Sequence, residues 1–197
     1  MPKFDISMNV KEHDRLLAVL ENPRHRRIVE NYRRHALLEV MGYWEQIFEP
    51  EMTVEVPIYK FNYMGINDTI VGDDVRKFYK EMAESGRSAI VVTDETIVVG
   101  DEGFGTKAYH TQFFTGSVIR ELGFEADDPD AWYSFKQLII SFWPYDENGR
   151  MIGEWGSSVG QPEIEKVDES DVVSVQDARA ALEPQLRPLS EKVPADA

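Results

Sequence analysis

Apolar positions recur at helical spacing through the first part of the chain and at alternating spacing through most of the rest. Val10, Leu16, Leu17, Val19 and Leu20 predict a first short helix, and Asn22-Pro23 ends it, because the residue before proline avoids the helical region. A second helix follows at once. On it Ile28, Tyr32, His35, Ala36 and Glu39 share one face at i, i+4, i+7, i+8 and i+11, while Arg26, Arg27, Arg33 and Arg34 lie largely elsewhere. A further helical turn ends at Phe48, and Thr53-Val54-Glu55-Val56, alternating and β-branched, predicts a strand that Pro57 ends or places at an edge. The stretch 58–71 shows no lasting period and reads as a loop over a cavity mouth.

Gly72-Asp73-Asp74 opens another helix, carried by Val75, Phe78, Tyr79 and Met82, with its acids favourable in the first turn. Strands are then expected at Ala89–Thr93 and Thr96–Val99 around a polar Asp94-Glu95, at Thr106–Thr115, at Trp132–Trp143 and at Met151–Ser157, with an acidic loop over Glu121–Asp130. Ser174 and Asp177 have capping-box spacing ahead of a short helix that Pro184 ends, and the tail LSEKVPADA reads as loose. Helices first, then a run of strands, is an α+β pattern. A curved mixed sheet wrapped on the N-terminal helices would make a cone with an open mouth, a suitable small-molecule pocket.

Composition narrows the partners. The chain has 197 residues, a size that suits one domain, and its net charge of -15 would repel phosphate backbones and anionic membrane surfaces, so nucleic acid and membranes are not expected partners. No cysteine is present, which removes disulfides and thiolate chemistry. No apolar run is long enough to span a bilayer and the N-terminus lacks a signal-peptide layout, so a cytoplasmic location is expected. Glu12-His13-Asp14 has no second histidine at ligand spacing, so no metal is expected, and Gly103-x-Gly105 is a turn and no phosphate loop. The cluster Arg24-His25-Arg26-Arg27 reads as a solvated helix face. Trp132, Trp143 and Trp155 suit a core or a dimer interface, and Trp143 with Tyr145 near an exposed sheet face implies a homodimer.

Three local motifs in this order carry a family resemblance: Ile47-Phe48-x4-Thr53-Val54-Glu55-x-Pro57, Gly72-x2-Val75-Arg76-x-Phe78-Tyr79, and Phe142-Trp143-x5-Gly149-Arg150-x-Ile152-x-Glu154-Trp155. Together they resemble the nuclear transport factor 2-like (NTF2-like) superfamily and its SnoaL-like branch of polyketide cyclases, ketosteroid isomerases and scytalone dehydratases. The resemblance covers 24–160, leaving an arm and short helix over 1–23 and an extension over 161–197. It implies an NTF2-like α+β barrel and no cofactor. Laid on Tyr32–Pro57 without a gap, the isomerase pattern keeps its phenol donor at Tyr32. Its general-base aspartate falls at Val56 and its protonated aspartate at Ser141, so both acids are missing. Cyclases of this branch also use an acid and a histidine on the sheet; His110 matches the histidine, and no acid is matched.

The expected acid–base set is therefore Tyr32, His35, Tyr59, Lys60 and His110, with Asn62, Tyr63, Phe113, Ser141 and Trp143 against the substrate. His35 reads equally as a satisfied buried histidine, and the loop tyrosines equally as packing groups. Because Tyr109 and His110 alternate, only one faces the cavity, and the family resemblance favours His110. The expected function is a cofactor-independent lyase on a phenolic aromatic molecule. Its most specific form, by resemblance to sphingomonad lyases, removes water and formaldehyde from a lignin-derived diarylpropane diol to give a stilbene. The alternatives are a SnoaL-type cyclase, isomerase or dehydratase acting on a polycyclic ketone, and a non-catalytic binding or dimerisation module.

Overall fold

The computed structural model describes residues 3–63 and 66–190. A 3-10 turn at Ile6–Val10 runs directly into α1 (Lys11–Leu17). Asn22 then caps α2 (Pro23–Val40) by accepting from the His25 amide, and Pro23 occupies the first helical position, where its missing N–H breaks no intrahelical bond. Gly42, at φ +71°, ends α2 in the left-handed conformation that glycine adopts without strain. One turn, α3 (Trp44–Ile47), precedes the sheet. Ile28, Val29, Leu37 and Leu38 of α2 are wholly buried, each contributing roughly 1.5–3 kcal/mol, and they seat α2 against the sheet.

The strands are β1 (Thr53–Tyr63), β2 (Ile66–Val71), β3 (Val91–Gly100), β4 (Gly103–Thr115), β5 (Trp132–Pro144) and β6 (Met151–Val167). They form one curved, unclosed sheet in the order β2-β1-β6-β5-β4-β3, with β1 and β6 parallel and all other neighbours antiparallel. Helix α4 (Asp73–Glu84) follows β2, α5 (Gly116–Glu121) leads into the expected acidic loop, and α6 (Val175–Leu182) carries the expected Ser174–Asp177 capping box.

Two expectations are corrected here. The stretch 58–71 is no loop: β1 continues through Tyr63 and returns as β2, with Ile58 paired to Val71 and Asn62 to Asn67. Its alternation of buried Tyr59 and Phe61 with exposed Lys60 and Asn62 has the period of a half-buried strand. Pro57 does not end the strand because it lies within a register shift between Thr53 and Ile58, where its missing N–H breaks no ladder bond. Residues 64–65 of that stretch, and 191–197 of the expected tail, lie outside the described residues.

The basic cluster is no solvated face. Arg24 donates to the carbonyls of Asp101, Asp146 and Glu147, Arg26 to those of Leu17 and Leu20, and buried Arg27 to those of Glu51 and Ser190. Arg33 holds Asp14 of α1 in a two-pronged grip, with Nε and Nη2 donating to its two carboxylate oxygens at 2.9 and 3.2 Å. These arginines tie the N-terminal arm and the C-terminal strap to α2. The expected basis for a homodimer also changes, since Trp143 and Tyr145 are each 4% exposed, inside the chain. The exposed apolar groups of the sheet include instead Ile140, Trp155 and Val159. Among the described residues no helix is long and apolar enough to cross a membrane.

Candidate active site

The concave face of the sheet, α2 and α4 enclose a cavity of about 530 Å³. Helix α2 supplies Tyr32, Ala36, Glu39 and Val40, and α4 supplies Phe78, Tyr79 and Met82. The sheet contributes Tyr63, Val92, Glu95, His110, Gln137, Ile139, Trp143 and Glu154, and His13 reaches in from α1. The wall is mainly apolar and aromatic. The Tyr32 ring stacks on Phe104 at 4.0 Å, with Trp143 edge-on at 4.9 Å and His13 stacked at 5.2 Å, an arrangement suited to a flat aromatic ligand.

A polar belt crosses this wall at one level of the sheet. Ser141 of β5 donates to the Glu154 carboxyl of β6 at 3.1 Å, and Ser141 is paired in register with Thr106 of β4, whose hydroxyl donates to Glu95 of β3 at 3.2 Å. Each end of the belt has its own cause. Glu154 is opposite Tyr59 in register, on the inward phase of β6, next to Gly156. A Cβ at Gly156 would stand 3.0 Å from Glu154 Oε1 and from Ser141 Oγ and 3.2 Å from the Tyr63 ring, so the glycine makes room for all three. Glu95 is aimed by a bulge. Between Thr93 and Thr96 the β3–β4 register slips by one residue, and Asp94 adopts φ 52°, which carries the polar pair expected to separate two strands into a single strand and directs Glu95 inward.

Burial sets the protonation of the belt. Removal from water pushes the Glu154 carboxyl well above the ordinary carboxylate range, the Glu39 charge pushes it further, and the Ser141 hydrogen bond opposes both. Burial thus favours the protonated form of Glu154. Burial raises Glu95 to about 7, again against the hydrogen bond from its hydroxyl partner. His110 and His13 are pushed down to about 4 by burial, with Arg33 adding to the effect at His13, so both imidazoles stay neutral. Desolvation also holds the Tyr32, Tyr63 and Tyr79 phenols far above their usual range, leaving them as hydrogen-bond donors.

A second network lies behind the α2 wall. His35 Nε2 stands 3.3 Å from Glu39 Oε2 and 3.0 Å from the Tyr79 hydroxyl, which in turn contacts the Tyr59 hydroxyl at 3.3 Å. His35 thus holds two cavity groups from outside the cavity, and Tyr59, wholly buried against the Met151 sulfur, holds Tyr79 from behind.

Of the residues expected at the site, Tyr32, Tyr63, His110 and Trp143 line the cavity, Ser141 anchors Glu154, and His35 and Tyr59 support the wall. His110 is on the inward phase of β4 and Tyr109 faces out beneath the Lys136 ammonium. Three expectations are corrected. Lys60 and Asn62 occupy the outward phase of β1, where Lys60 lies 4.9 Å over the Trp155 ring, so neither reaches the cavity. Phe113 is on the outward phase of β4, packed edge-on against Phe4 at 4.9 Å. The acid missing at Ser141 is supplied to the same spot by Glu154 of the adjacent strand. Glu154 stood in the sequence motif through Trp155, but only strand pairing reveals that it meets Ser141. Glu39, Glu95 and His13 were visible as residues without any sign that they converge. Among the described residues no group of three or more His, Cys, Asp and Glu side chains is arranged to hold a metal ion.

No protein-family model matches the sequence, and no curated protein matches it significantly. Solved structures do match in shape. An NTF2-like protein from Anabaena variabilis ATCC 29413 is similar at 8% identity and a TM-score of 0.50, over 73% of this chain and 95% of that one. A protein assigned as a SnoaL-like polyketide cyclase from Jannaschia sp. CCS1 is similar at 15% identity and a TM-score of 0.49, over 71% of this chain and 90% of that one. The first likeness, with the helix-packed curved sheet described above, makes this chain an α+β protein of the NTF2-like fold.

Proposed function

We propose that this chain is a cofactor-independent acid–base enzyme acting on a small aromatic substrate, and that its reaction is an elimination. The observation that carries the reading is Glu154, a carboxyl held by Ser141 in an aromatic-walled cavity with room for a ligand, where burial favours its protonated form. Such a group can protonate a departing hydroxyl. Glu39, held by His35, is the candidate base, and Tyr32, Tyr63 and Tyr79 are neutral donors for a developing phenolate.

In its most specific form the substrate is a diarylpropane 1,3-diol with a para-phenol, as in lignin-derived dimers. The Glu154 proton leaves with the benzylic hydroxyl as water, while the phenolic proton passes to solvent water, giving a quinone methide; the same water later returns a proton to the phenolate. Glu39 then takes the proton of the terminal alcohol. The carbon–carbon bond breaks to release formaldehyde, its electron pair forms the stilbene double bond, and the phenolate regains a proton. The diol becomes stilbene, water and formaldehyde, and the alcohol's proton restores Glu154.

Formaldehyde release from phenolic diarylpropane diols is the direct assay. Glu154→Gln is expected to lower turnover at least a hundredfold, within the range of roughly 10² to 10⁴ for a positioned acid or base. His35→Ala is expected to lower it at least tenfold by releasing Glu39 and Tyr79. Undiminished turnover in Glu154→Gln refutes the assignment. A second reading, a SnoaL-type cyclase or isomerase with His110 as base and Tyr32 as oxyanion donor, is supported by the inward placement of both residues. Deuterium uptake from solvent into a ketone substrate, with no one-carbon product, would favour it. The cavity volume argues against a purely structural module.

A further inference from the structure

His13 and Glu95 form a polar pair at the end of the belt away from Glu154, and neither group has a role in the reaction outlined above. His13 is 1% exposed, and neither of its ring nitrogens has a hydrogen-bond partner among the described residues. The Asn9 carbonyl lies near the ring without forming a well-shaped bond to either nitrogen. His13 Nδ1 stands 3.7 Å from Glu95 Oε2, too far for a hydrogen bond. Both side chains line the cavity. An unpaired buried imidazole is costly, so its retention on this wall needs a cause.

A single oxygen resolves the geometry. A hydroxyl standing to the cavity side of the line between the two groups can serve both, donating to the carboxylate and accepting from the imidazole N–H, or the reverse when Glu95 is protonated. We infer that His13 and Glu95 form a second subsite that binds a hydroxyl on an aromatic ring of the ligand, at the opposite end of the cavity from Glu154. The Tyr32 ring, which lines the cavity and stacks with His13 at 5.2 Å, holds the aromatic body beside this hydroxyl, and Phe104 backs Tyr32 at 4.0 Å. Helix α1 therefore contributes to ligand selection. Arg33, through its two bonds to Asp14, fixes the position of His13 on that helix.

The inference rests on the reading of the cavity as an aromatic-ligand site, and its test uses binding and not turnover. The probes are trans-4-hydroxystilbene and trans-stilbene, titrated against the wild-type chain and variants by fluorescence or calorimetry. The hydroxylated probe is expected to bind wild type about tenfold more tightly, the scale of one hydrogen bond to a charged group. His13→Phe and Glu95→Gln should each erode that preference at least threefold while leaving trans-stilbene affinity within twofold. Thr106→Val, which removes only the hydroxyl that orients Glu95, should erode it in a chain whose cavity wall is otherwise intact. Glu154→Gln should leave the preference unchanged even where turnover is lost. If wild type binds both probes equally, or if all three subsite variants keep the full preference, the subsite is refuted while the Glu154 reading stands. If wild type binds neither probe, the aromatic-ligand reading falls and this inference falls with it.

Discussion

Glu95→Gln isolates the cost of a buried carboxylate. The substitution keeps the side-chain shape and an oxygen that can accept from Thr106, and it removes the ionisation. In the folded chain Glu95 titrates at about 7 against 4.5 for an unperturbed glutamate. Below 4.5 the carboxyl is protonated in both states and contributes no pH-dependent term. Between 4.5 and about 7 the unfolded chain ionises and the folded chain does not, so folding loses stability as pH rises, by about 1.4 kcal/mol per pH unit. Above about 7 the loss is complete, on the order of 3 kcal/mol, a scale consistent with a side chain only 7% exposed. The glutamine variant carries no such loss. Urea unfolding of both proteins at pH 4.5, 6 and 8 should show curves that nearly coincide at the lowest pH and separate progressively, with the variant more stable by roughly 2–3 kcal/mol at pH 8. A stability difference constant within about 0.5 kcal/mol across that range, or a variant less stable at pH 8, would refute the placement of Glu95 in a desolvated wall.

Three further outcomes follow from neighbouring groups. His110 is held down to about 4 against 6.5 when unperturbed, so the unfolded chain binds its proton first as pH falls through that window; His110→Gln should flatten the acid limb of the stability profile measured by thermal unfolding at pH 4 to 7. Gly156→Ala places a methyl 3.0 Å from both Glu154 Oε1 and Ser141 Oγ, and should lower turnover at least tenfold with little change in substrate KM, because the acid moves while the aromatic walls stay. Arg33→Met removes the paired Nε and Nη2 bonds to Asp14 and should cost roughly 2–3 kcal/mol in denaturant unfolding, with increased amide exchange across α1.

Much of this architecture is readable from local pattern alone. The face of α2 that carries Tyr32 and Glu39, the α4 start at Asp73 and the Ser174 capping box all depend on residues within a few positions of one another, and there sequence and structure agree, whereas the first helix ends at Leu17, ahead of the expected stop at Asn22-Pro23, which instead opens α2. The hairpin at 58–71 was missed although Tyr59, Phe61 and Tyr63 alternate with Lys60 and Asn62, because a proline at its start reads as a stop unless the register shift that accommodates it is known. The role of the arginines was hidden for a related reason. Carbonyl partners such as Asp146 and Ser190 lie far away in sequence and leave no local mark.

The chemistry of the cavity depended most on tertiary structure. A strand's alternation determines that its side chains point to two faces, but not which face meets α2; pairing with β3 and β5 turned His110 inward and Phe113 outward. Residue identity supplied a serine at 141 and a glutamate at 154. Only the pairing of β5 with β6 brought them to 3.1 Å, and only burial in the packed chain shifted that glutamate toward its protonated form. Sequence determined which acids and bases the chain carries, whereas the fold determined which of them meet and in which protonation state, because desolvation and cross-strand contact are properties of the packed chain.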